Sequence, residues 1–114
     1  LAVIGSVAGD RGRQSNFLYG SAKAGIYTFM AGLRHRHAAQ KDIHIVLLKP
    51  GMTDTPMTAG IKKGPLFTSS HKVGALGWQA IRKCKPISYL PGWWRWVMLI
   101  ICSVPSPVFL KTKL

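Results

Sequence analysis

Apolar positions along the chain alternate between short continuous runs and longer stretches with a helical period. Residues 1–6, 42–50 and 87–91 form apolar runs of strand length, typical of strands buried in a parallel sheet. Residues 17–39 and 71–85 lack proline, and their apolar residues recur near the 3.6-residue period of an α-helix. The order strand, helix, strand, helix, strand predicts an α/β protein with a parallel sheet.

The length of the chain limits how much of such a fold it holds. Because each β-α-β unit takes about 30 residues or more, the 114 residues correspond to the C-terminal part of a Rossmann-like doubly wound sheet. The chain begins at Leu1 with a strand rather than a leader, so we expect it to be part of a longer protein. We predict a catalytic half of a dehydrogenase-type domain at 1–91 and a hydrophobic, basic tail at 92–114.

The segments between these elements have no apolar period. Residues 7–16 are rich in glycine and polar residues and are predicted to form a loop. Residues 51–70 contain many turn formers and are predicted to be a long loop with short helical pieces, a kind of segment that often acts as a lid or binding element. Phe29 belongs to the apolar face of the first predicted helix, and Trp78 on the second predicted helix is expected to lie in the core.

The charge balance is strongly basic. The net charge is +13 with only three acidic residues, and 47% of residues are hydrophobic, which is a globular composition. Such an excess attracts anionic partners, including phosphorylated substrates and anionic membrane surfaces. The cations are scattered and are not interleaved with aromatic residues, so no nucleic-acid partner is expected.

Cysteine and histidine positions do not suggest a metal site. Cys84 and Cys102 form no Cys-x-x-Cys pair, and the four histidines lack cysteine or carboxylate partners at ligand spacing. We therefore expect no metal, and two buried, reduced thiols in a cytoplasmic protein.

The candidate chemistry lies at the ends of the first two strands. Tyr19 and Lys23 lie one helical turn apart, on the same face of the predicted first helix. Ser6 ends the strand before that helix, and the segment 50–55, PGMTDT, follows the next strand. Because the ends of parallel strands and the starts of their helices face one crevice, these groups are expected to converge. The Tyr-x-x-x-Lys pair alone occurs often by chance, whereas the combination is much rarer.

This combination suits the reduction of a ketone. A carbonyl that accepts a hydride develops negative charge on oxygen and needs a proton donor within hydrogen-bond reach. The phenol of Tyr19 can donate that proton, and the ammonium of Lys23 favours the phenolate that remains. The residue types at these positions thus fit the interconversion of a secondary alcohol and a ketone.

At these positions the chain resembles the short-chain dehydrogenase/reductase family, from its catalytic strand to the C-terminal end. The resemblance implies a Rossmann sheet and NAD or NADP as cofactor. It implies that Ser6 hydrogen-bonds the substrate oxygen, that Tyr19 is the general acid/base, and that Lys23 also holds the nicotinamide ribose. Tyr19 and Lys23 would then contact the cofactor, together with four residues of the Pro-Gly segment. These four are Pro50, Gly51, Thr53 and Thr55.

Several features of the family are absent from this sequence. Its glycine-rich cofactor turn, its Asn-Ala-Gly segment and the asparagine of its catalytic tetrad have no counterpart here, and Thr53 stands where the family usually has Val or Ile. The chain alone is therefore not expected to bind a whole dinucleotide. The loop before Tyr19 and the tail are most similar to the subgroup of decaprenylphosphoryl 2-keto-pentose reductases. That similarity implies a small-molecule or polyprenyl-phosphate-linked keto-sugar substrate.

The tail leaves two interpretations open. The apolar run 93–104 is shorter than the ~20 residues that a spanning helix needs. Its tryptophans and flanking cations predict either peripheral membrane contact through 93–110, on the inner membrane face, or burial in the interface of a homo-oligomer. An alternative for the whole chain is a basic, non-catalytic membrane-associated or scaffold module with relic dehydrogenase residues.

Overall fold

Three parallel strands form the central sheet of the computed structural model, which describes residues 1–114. The strands are β1 (Ala2–Ile4), β2 (Val46–Pro50) and β5 (Ile87–Leu90), and the connecting helices are α1 (Phe17–Arg36) and α2 (Ser70–Arg82). The strand order in the sheet is β1-β2-β5, so β2 lies in the middle, and a helix connects each strand to the next. The predicted α/β class and parallel sheet are confirmed.

The central strand β2 supplies core residues to both faces of the sheet. Successive side chains of a strand point to opposite faces, so Leu47 packs against Met30 of α1. Val46 and Leu48 pack instead with Val73 of α2. This arrangement explains why β2 is a nearly continuous apolar run, since both of its faces are covered by helices.

Local signals in the sequence define the ends of the helices. The hydroxyl of Ser69 accepts a hydrogen bond from the Lys72 N–H (3.2 Å), which satisfies a free donor in the first turn of α2. The last turn of α1 is basic, with Arg34, His35 and Arg36 placed favourably at the negative end of the helix dipole.

The segment 51–70 is irregular, as predicted, but it also contains a second small sheet. Strands β3 (Thr53–Asp54) and β4 (Thr68–Ser69) pair in parallel, and a 3₁₀ turn covers Pro56–Thr58 between them. The remainder of the segment is loop and lies largely exposed.

Three side chains expected in the core are exposed. Ile4 is 66% exposed because α2 lies over β2 and β5 and leaves this face of β1 uncovered, so β1 is not buried on both faces. Phe29 and Trp78 are 65% and 62% exposed. The helical period predicts a wide apolar face, but the sheet covers only a narrow part of it, which on α1 centres on Met30.

The two cysteines also differ from the expected burial. Both are free thiols, but Cys102 is exposed and Cys84 is only half-buried. Cys102 lies on the last turn of the C-terminal helix Trp94–Ser103 and donates a weak hydrogen bond to the Asp10 carbonyl (3.6 Å). The Cys102 thiol therefore contacts the loop at Asp10 rather than the hydrophobic core.

The C-terminal segment folds onto the end of the sheet. It forms α3 (Trp94–Ser103) and α4 (Ser106–Phe109), and Trp94 and Met98 pack around Val7. None of the helices has the length and apolar character needed to cross a bilayer. The division of the chain at residue 91 remains a prediction.

Candidate functional site

Ser6 lies where β1 turns into a short helical segment. The chain leaves the strand into a 3₁₀ turn over Val7–Gly9, part of the segment predicted as loop, and the Ser6 Oγ accepts a hydrogen bond from the Ala8 N–H (3.1 Å). This contact uses Ser6 as an acceptor only, so its O–H proton stays available to a further oxygen. Ser6 is half-buried, which leaves the hydroxyl accessible to a ligand.

Tyr19 and Lys23 are neighbours on the first turns of α1, as the spacing predicts. The Lys23 Nζ lies 5.6 Å from the centroid of the Tyr19 ring and donates a hydrogen bond to the Ile4 carbonyl (3.0 Å). That carbonyl lies close to Ser6 in the chain, so Lys23 joins the start of α1 to the end of β1. Tyr19 is 38% exposed, so its phenol can reach a bound molecule.

Gly20 allows α1 to approach the Ser6 turn closely. A Cβ atom at this position would lie 2.7 Å from the Ala8 carbonyl oxygen, a distance that real Cβ atoms essentially never show. The absence of a side chain therefore brings the helix against the turn that Ser6 caps. Since Tyr19 is the preceding residue, this contact sets its position relative to Ser6.

Substituting Gly20 with alanine is expected to destabilise the fold, although alanine is the better helix former. We expect a loss of about 1–3 kcal/mol in the free energy of unfolding, because the methyl group pushes α1 away from the turn. Gly25→Ala is the matched control: nothing lies within 4 Å of its Cβ position, so we expect a gain of about 0.5–1 kcal/mol. Urea unfolding of both variants measures the difference. Equal effects would contradict the close approach.

Tyr27 is a site residue that sequence reasoning missed. Its Oη accepts a hydrogen bond from the Ser6 N–H (3.1 Å), so it holds the backbone of the residue predicted to bind the substrate oxygen. The signal was present in the sequence, because Tyr27 follows Lys23 by one helical turn and shares its face of α1. Burial raises the pKa of Tyr27 to about 12, against a smaller lowering by the Ser6 N–H.

This shift predicts a loss of stability in alkali. An unfolded tyrosine ionises near pH 10, whereas Tyr27 in the folded chain keeps its proton to about pH 12. Above pH 10 the unfolded state binds fewer protons, so the free energy of unfolding falls between pH 10 and 12 and is unaffected by Tyr27 below that window. Urea unfolding at several pH values should show a shallower decline for Tyr27→Phe. An identical decline would show that Tyr27 is not the cause.

The segment that begins at Pro50 is held mainly by its own hydrogen bonds. The Thr53 hydroxyl donates a hydrogen bond to the Gly51 carbonyl (3.1 Å). The Thr58 hydroxyl donates one to the Thr53 carbonyl (2.9 Å) and accepts one from the Thr55 N–H (3.1 Å). Thr58, which sequence reasoning did not single out, therefore sets the shape of the segment that carries four predicted cofactor residues.

Gly51 makes a close packing contact on the side where it lacks a Cβ atom. A Cβ there would lie 1.9 Å from the Nε1 of Trp94, so the indole of α3 occupies the space. The Gly51 N–H donates to the Leu90 carbonyl (3.0 Å), which continues the pairing of β2 with β5. Gly51 and the half-buried Pro50 thus direct the chain from the sheet into the Thr53 segment.

A buried ion pair fixes the loop between Ser6 and Tyr19. The Lys49 Nζ lies 2.7 Å from the Asp10 Oδ1, and the Tyr89 hydroxyl donates to the Asp10 Oδ2 (2.6 Å). The Lys49 Nζ also lies 4.2 Å from the centroid of the Tyr27 ring. Burial, and next the hydrogen bond to Asp10, raise the pKa of Tyr89 well above its usual range. In the sequence, the indication of this ion pair was that Lys49 is a lysine within an apolar strand, in a chain that has few acidic residues.

Taken together, the geometry gathers Ser6, Tyr19 and Lys23 around the carboxyl end of β1, with the Pro50 segment after the neighbouring strand. The family model described as short chain dehydrogenase matches residues 1–65, which include all of these groups. The chain belongs to the short-chain dehydrogenase family. The family to which the motifs pointed is thereby confirmed, and proteins of this family generally use NAD or NADP.

Similar proteins carry oxidoreductase names. The chain is 35% identical over 92 residues to an uncharacterised oxidoreductase of Mycobacterium tuberculosis, covering 80% of this chain and 36% of that protein. It is 32% identical over 111 residues to an uncharacterised oxidoreductase of Streptomyces coelicolor, covering 96% and 43%. It is also 38% identical over 58 residues to carbonyl reductase family member 4 of Danio rerio, covering 51% and 24%. The chain thus spans less than half the length of these relatives.

The short-chain dehydrogenase residues present here fit one end of a nicotinamide dinucleotide. The Lys23 ammonium donates one hydrogen bond to the Ile4 carbonyl, and its other two N–H groups remain free to donate to ribose hydroxyls. The N–H groups of Gly51 and Thr55 are already engaged within the protein. The residues that best fit this end of the cofactor are therefore Tyr19 and Lys23.

No group of three or more His, Cys, Asp or Glu side chains is placed to hold a metal ion.

Proposed function

We propose that this protein is an NAD(P)-dependent oxidoreductase that interconverts a secondary alcohol and a ketone. The observation that supports the proposal is the hydrogen bond from the Lys23 Nζ to the carbonyl of Ile4 (3.0 Å), which lies two residues before Ser6 at the end of β1. The family membership and the oxidoreductase names of the relatives support the reaction class.

Each side chain has a chemical role in this proposal. The Ser6 O–H donates a hydrogen bond to the substrate oxygen and orients it, since the Oγ is fixed by the Ala8 N–H (3.1 Å). Tyr19 donates its phenolic proton to that oxygen as negative charge develops during reduction. Lys23 stabilises the phenolate left behind, because its ammonium lies 5.6 Å from the ring centroid. In the oxidative direction the same proton returns to Tyr19.

The cofactor would lie between Lys23 and the segment that follows β2. When bound, NAD or NADP supplies or accepts the hydride at the substrate carbon. Lys23 would hold the ribose through its remaining N–H groups, and Tyr19 would border the same position. The nicotinamide end would rest on the segment after β2, at Pro50, Gly51, Thr53 and Thr55, through groups other than the Gly51 and Thr55 N–H, which are already hydrogen-bonded.

For the substrate we propose a small ketone or a keto-sugar linked to a polyprenyl phosphate. The loop between Ser6 and Tyr19 contains two buried polar atoms without a hydrogen-bond partner, the Nε of Arg13 and the Oδ1 of Asn16. A phosphate oxygen of the substrate would accept a hydrogen bond from the Arg13 Nε–H, and a substrate hydroxyl would donate one to the Asn16 Oδ1. The +13 charge favours an anionic substrate.

We further propose a cytoplasmic homo-oligomer that does not bind nucleic acid. Leu18 and Phe29 on α1 are 77% and 65% exposed, and a second copy could cover these apolar side chains. The cytoplasm is the proposed location because the proposed cofactor is a nicotinamide dinucleotide.

Isotope transfer tests the reaction class directly. The longer protein to which this chain is expected to belong is incubated with a ketone and NADH or NADPH that carries deuterium at the transferred position of C4, and the product is analysed by mass spectrometry. We expect one deuterium on the carbinol carbon of the secondary alcohol. No transfer to any ketone, with either cofactor, would contradict the proposal and would favour the non-catalytic membrane or scaffold module.

A further inference from the structure

Helix α3 is apolar on two opposite sides. Its inner side carries Trp94 and Met98, which are 3% and 4% exposed and pack around Val7. Its outer side carries Trp96 and Ile100, one helical turn apart, which are 65% and 68% exposed. The inner residues pack the helix against the rest of the chain, whereas no part of the chain covers the outer residues.

The outer side is presented on a fixed helix rather than on a loose tail. The Arg11 guanidinium donates to the carbonyls of Ile101 (2.6 Å) and Val104 (2.7 Å), which satisfies free acceptors at the end of α3. The same guanidinium lies 3.8 Å from the centroid of the Phe109 ring, so α4 is also held against the loop. Ordering these exposed apolar groups in advance lowers the entropy cost of docking.

The surroundings of the outer side are positively charged. Lys83, Lys85 and Arg95 line the same groove as Trp96, and no acidic residue follows Asp54 in the sequence. The groove also contains Asp10, but its carboxylate is paired with Lys49 at 2.7 Å. The net field around the apolar residues is therefore positive.

We propose that the outer side of α3 docks onto an anionic bilayer surface. Trp96, Leu99 and Ile100 would enter the headgroup region, where tryptophan is favoured, while Lys83 and Lys85 contact lipid phosphates. The helix has 10 residues, which is too short to span and suits a helix that lies in the surface plane. A second copy of the chain fits this face less well, because it would bring the same cations against each other.

Vesicle sedimentation of the full chain tests the proposal. The vesicles consist of phosphatidylcholine alone or of phosphatidylcholine and phosphatidylglycerol in equal parts. We expect binding to the anionic vesicles, weakened by added salt, and an emission shift of tryptophan to shorter wavelength. W96S combined with I100S should weaken binding by about tenfold or more. The control is W78S, which removes an equally exposed tryptophan from α2 and should leave binding unchanged.

A charge-matched pair of variants tests the electrostatic part. K83Q with K85Q should weaken binding by about 25-fold, at about fivefold for each cation. R36Q with K41Q removes the same charge at the exposed end of α1 and should have a clearly smaller effect.

Three outcomes would overturn the proposal. They are no preference for anionic vesicles, equal loss of binding in W78S and in the α3 variant, and an α3 variant that binds vesicles normally but loses self-association in gel filtration. The last outcome would assign this side of α3 to a second copy of the chain. Because the readout is lipid binding, each result is independent of the proposed oxidoreductase activity.

Discussion

In the longer protein to which this chain is expected to belong, the Tyr19→Phe substitution is expected to lower kcat by about 10²–10⁴-fold while the affinity for the cofactor is kept. The substitution removes only the phenolic oxygen, and Tyr19 is 38% exposed, so neither the fold nor the core depends on that atom. The hydride acceptor would still bind, but no group would supply the proton that its oxygen needs. Steady-state kinetics with a ketone and NAD(P)H measures the loss.

Two further measurements separate chemistry from folding in that variant. The melting temperature and the cofactor Kd, the latter from nicotinamide fluorescence, should match those of the parent protein. A kcat within tenfold of the parent value would mean that another group donates the proton, and Tyr19 would lose its proposed role. A large fall in melting temperature would instead show that the phenol is structural.

Replacing Lys49 with methionine is expected to cost about 3–5 kcal/mol of folding stability. The Lys49 and Asp10 side chains are only 11% and 8% exposed and lie 2.7 Å apart, so the substitution leaves a carboxylate buried without its counter-ion. The Tyr89 hydrogen bond (2.6 Å) remains, but it does not neutralise the charge. Urea unfolding of the variant gives the loss.

The exposed ion pair of the chain provides the matched control. Lys63 and Asp54 lie 3.1 Å apart, with side chains 35% and 56% exposed, and Lys63→Met should change stability by less than about 1 kcal/mol. In the double variant of Lys49→Met with Asp10→Asn we expect part of the stability to return, because the uncompensated charge is removed. Equal losses of stability in Lys49→Met and Lys63→Met would show that burial does not determine how much an ion pair contributes to folding stability.

Much of the site could be predicted from local sequence. Tyr19 and Lys23 are adjacent because the helix that contains them brings residues one turn apart together, wherever that helix lies. The alternation of strands and helices likewise depends on the apolar period of each segment. Ser6 could be placed at the end of its strand, since the composition changes there from apolar to turn-forming residues.

The side chains that hold the site in place could not be predicted in the same way. Tyr27 meets Ser6, and Lys49 meets Asp10, across long stretches of sequence. Such contacts depend on how α1 and β2 pack, and the spacing of residues along the chain does not report that packing. The exposure of Phe29 also depends on packing, because the helical period defines an apolar face without showing how much of it the sheet covers.

The sequence by itself determined the α/β order of the elements and the pairing of Tyr19 with Lys23. Both follow from interactions between near neighbours in the chain. Only the tertiary structure decided that Gly20 lies against the Ala8 carbonyl, that Trp94 fills the space beside Gly51, and that Trp96 stays exposed on α3. The physical reason is that burial is a property of the packed elements, and each element can present the same apolar pattern to the core or to its surroundings.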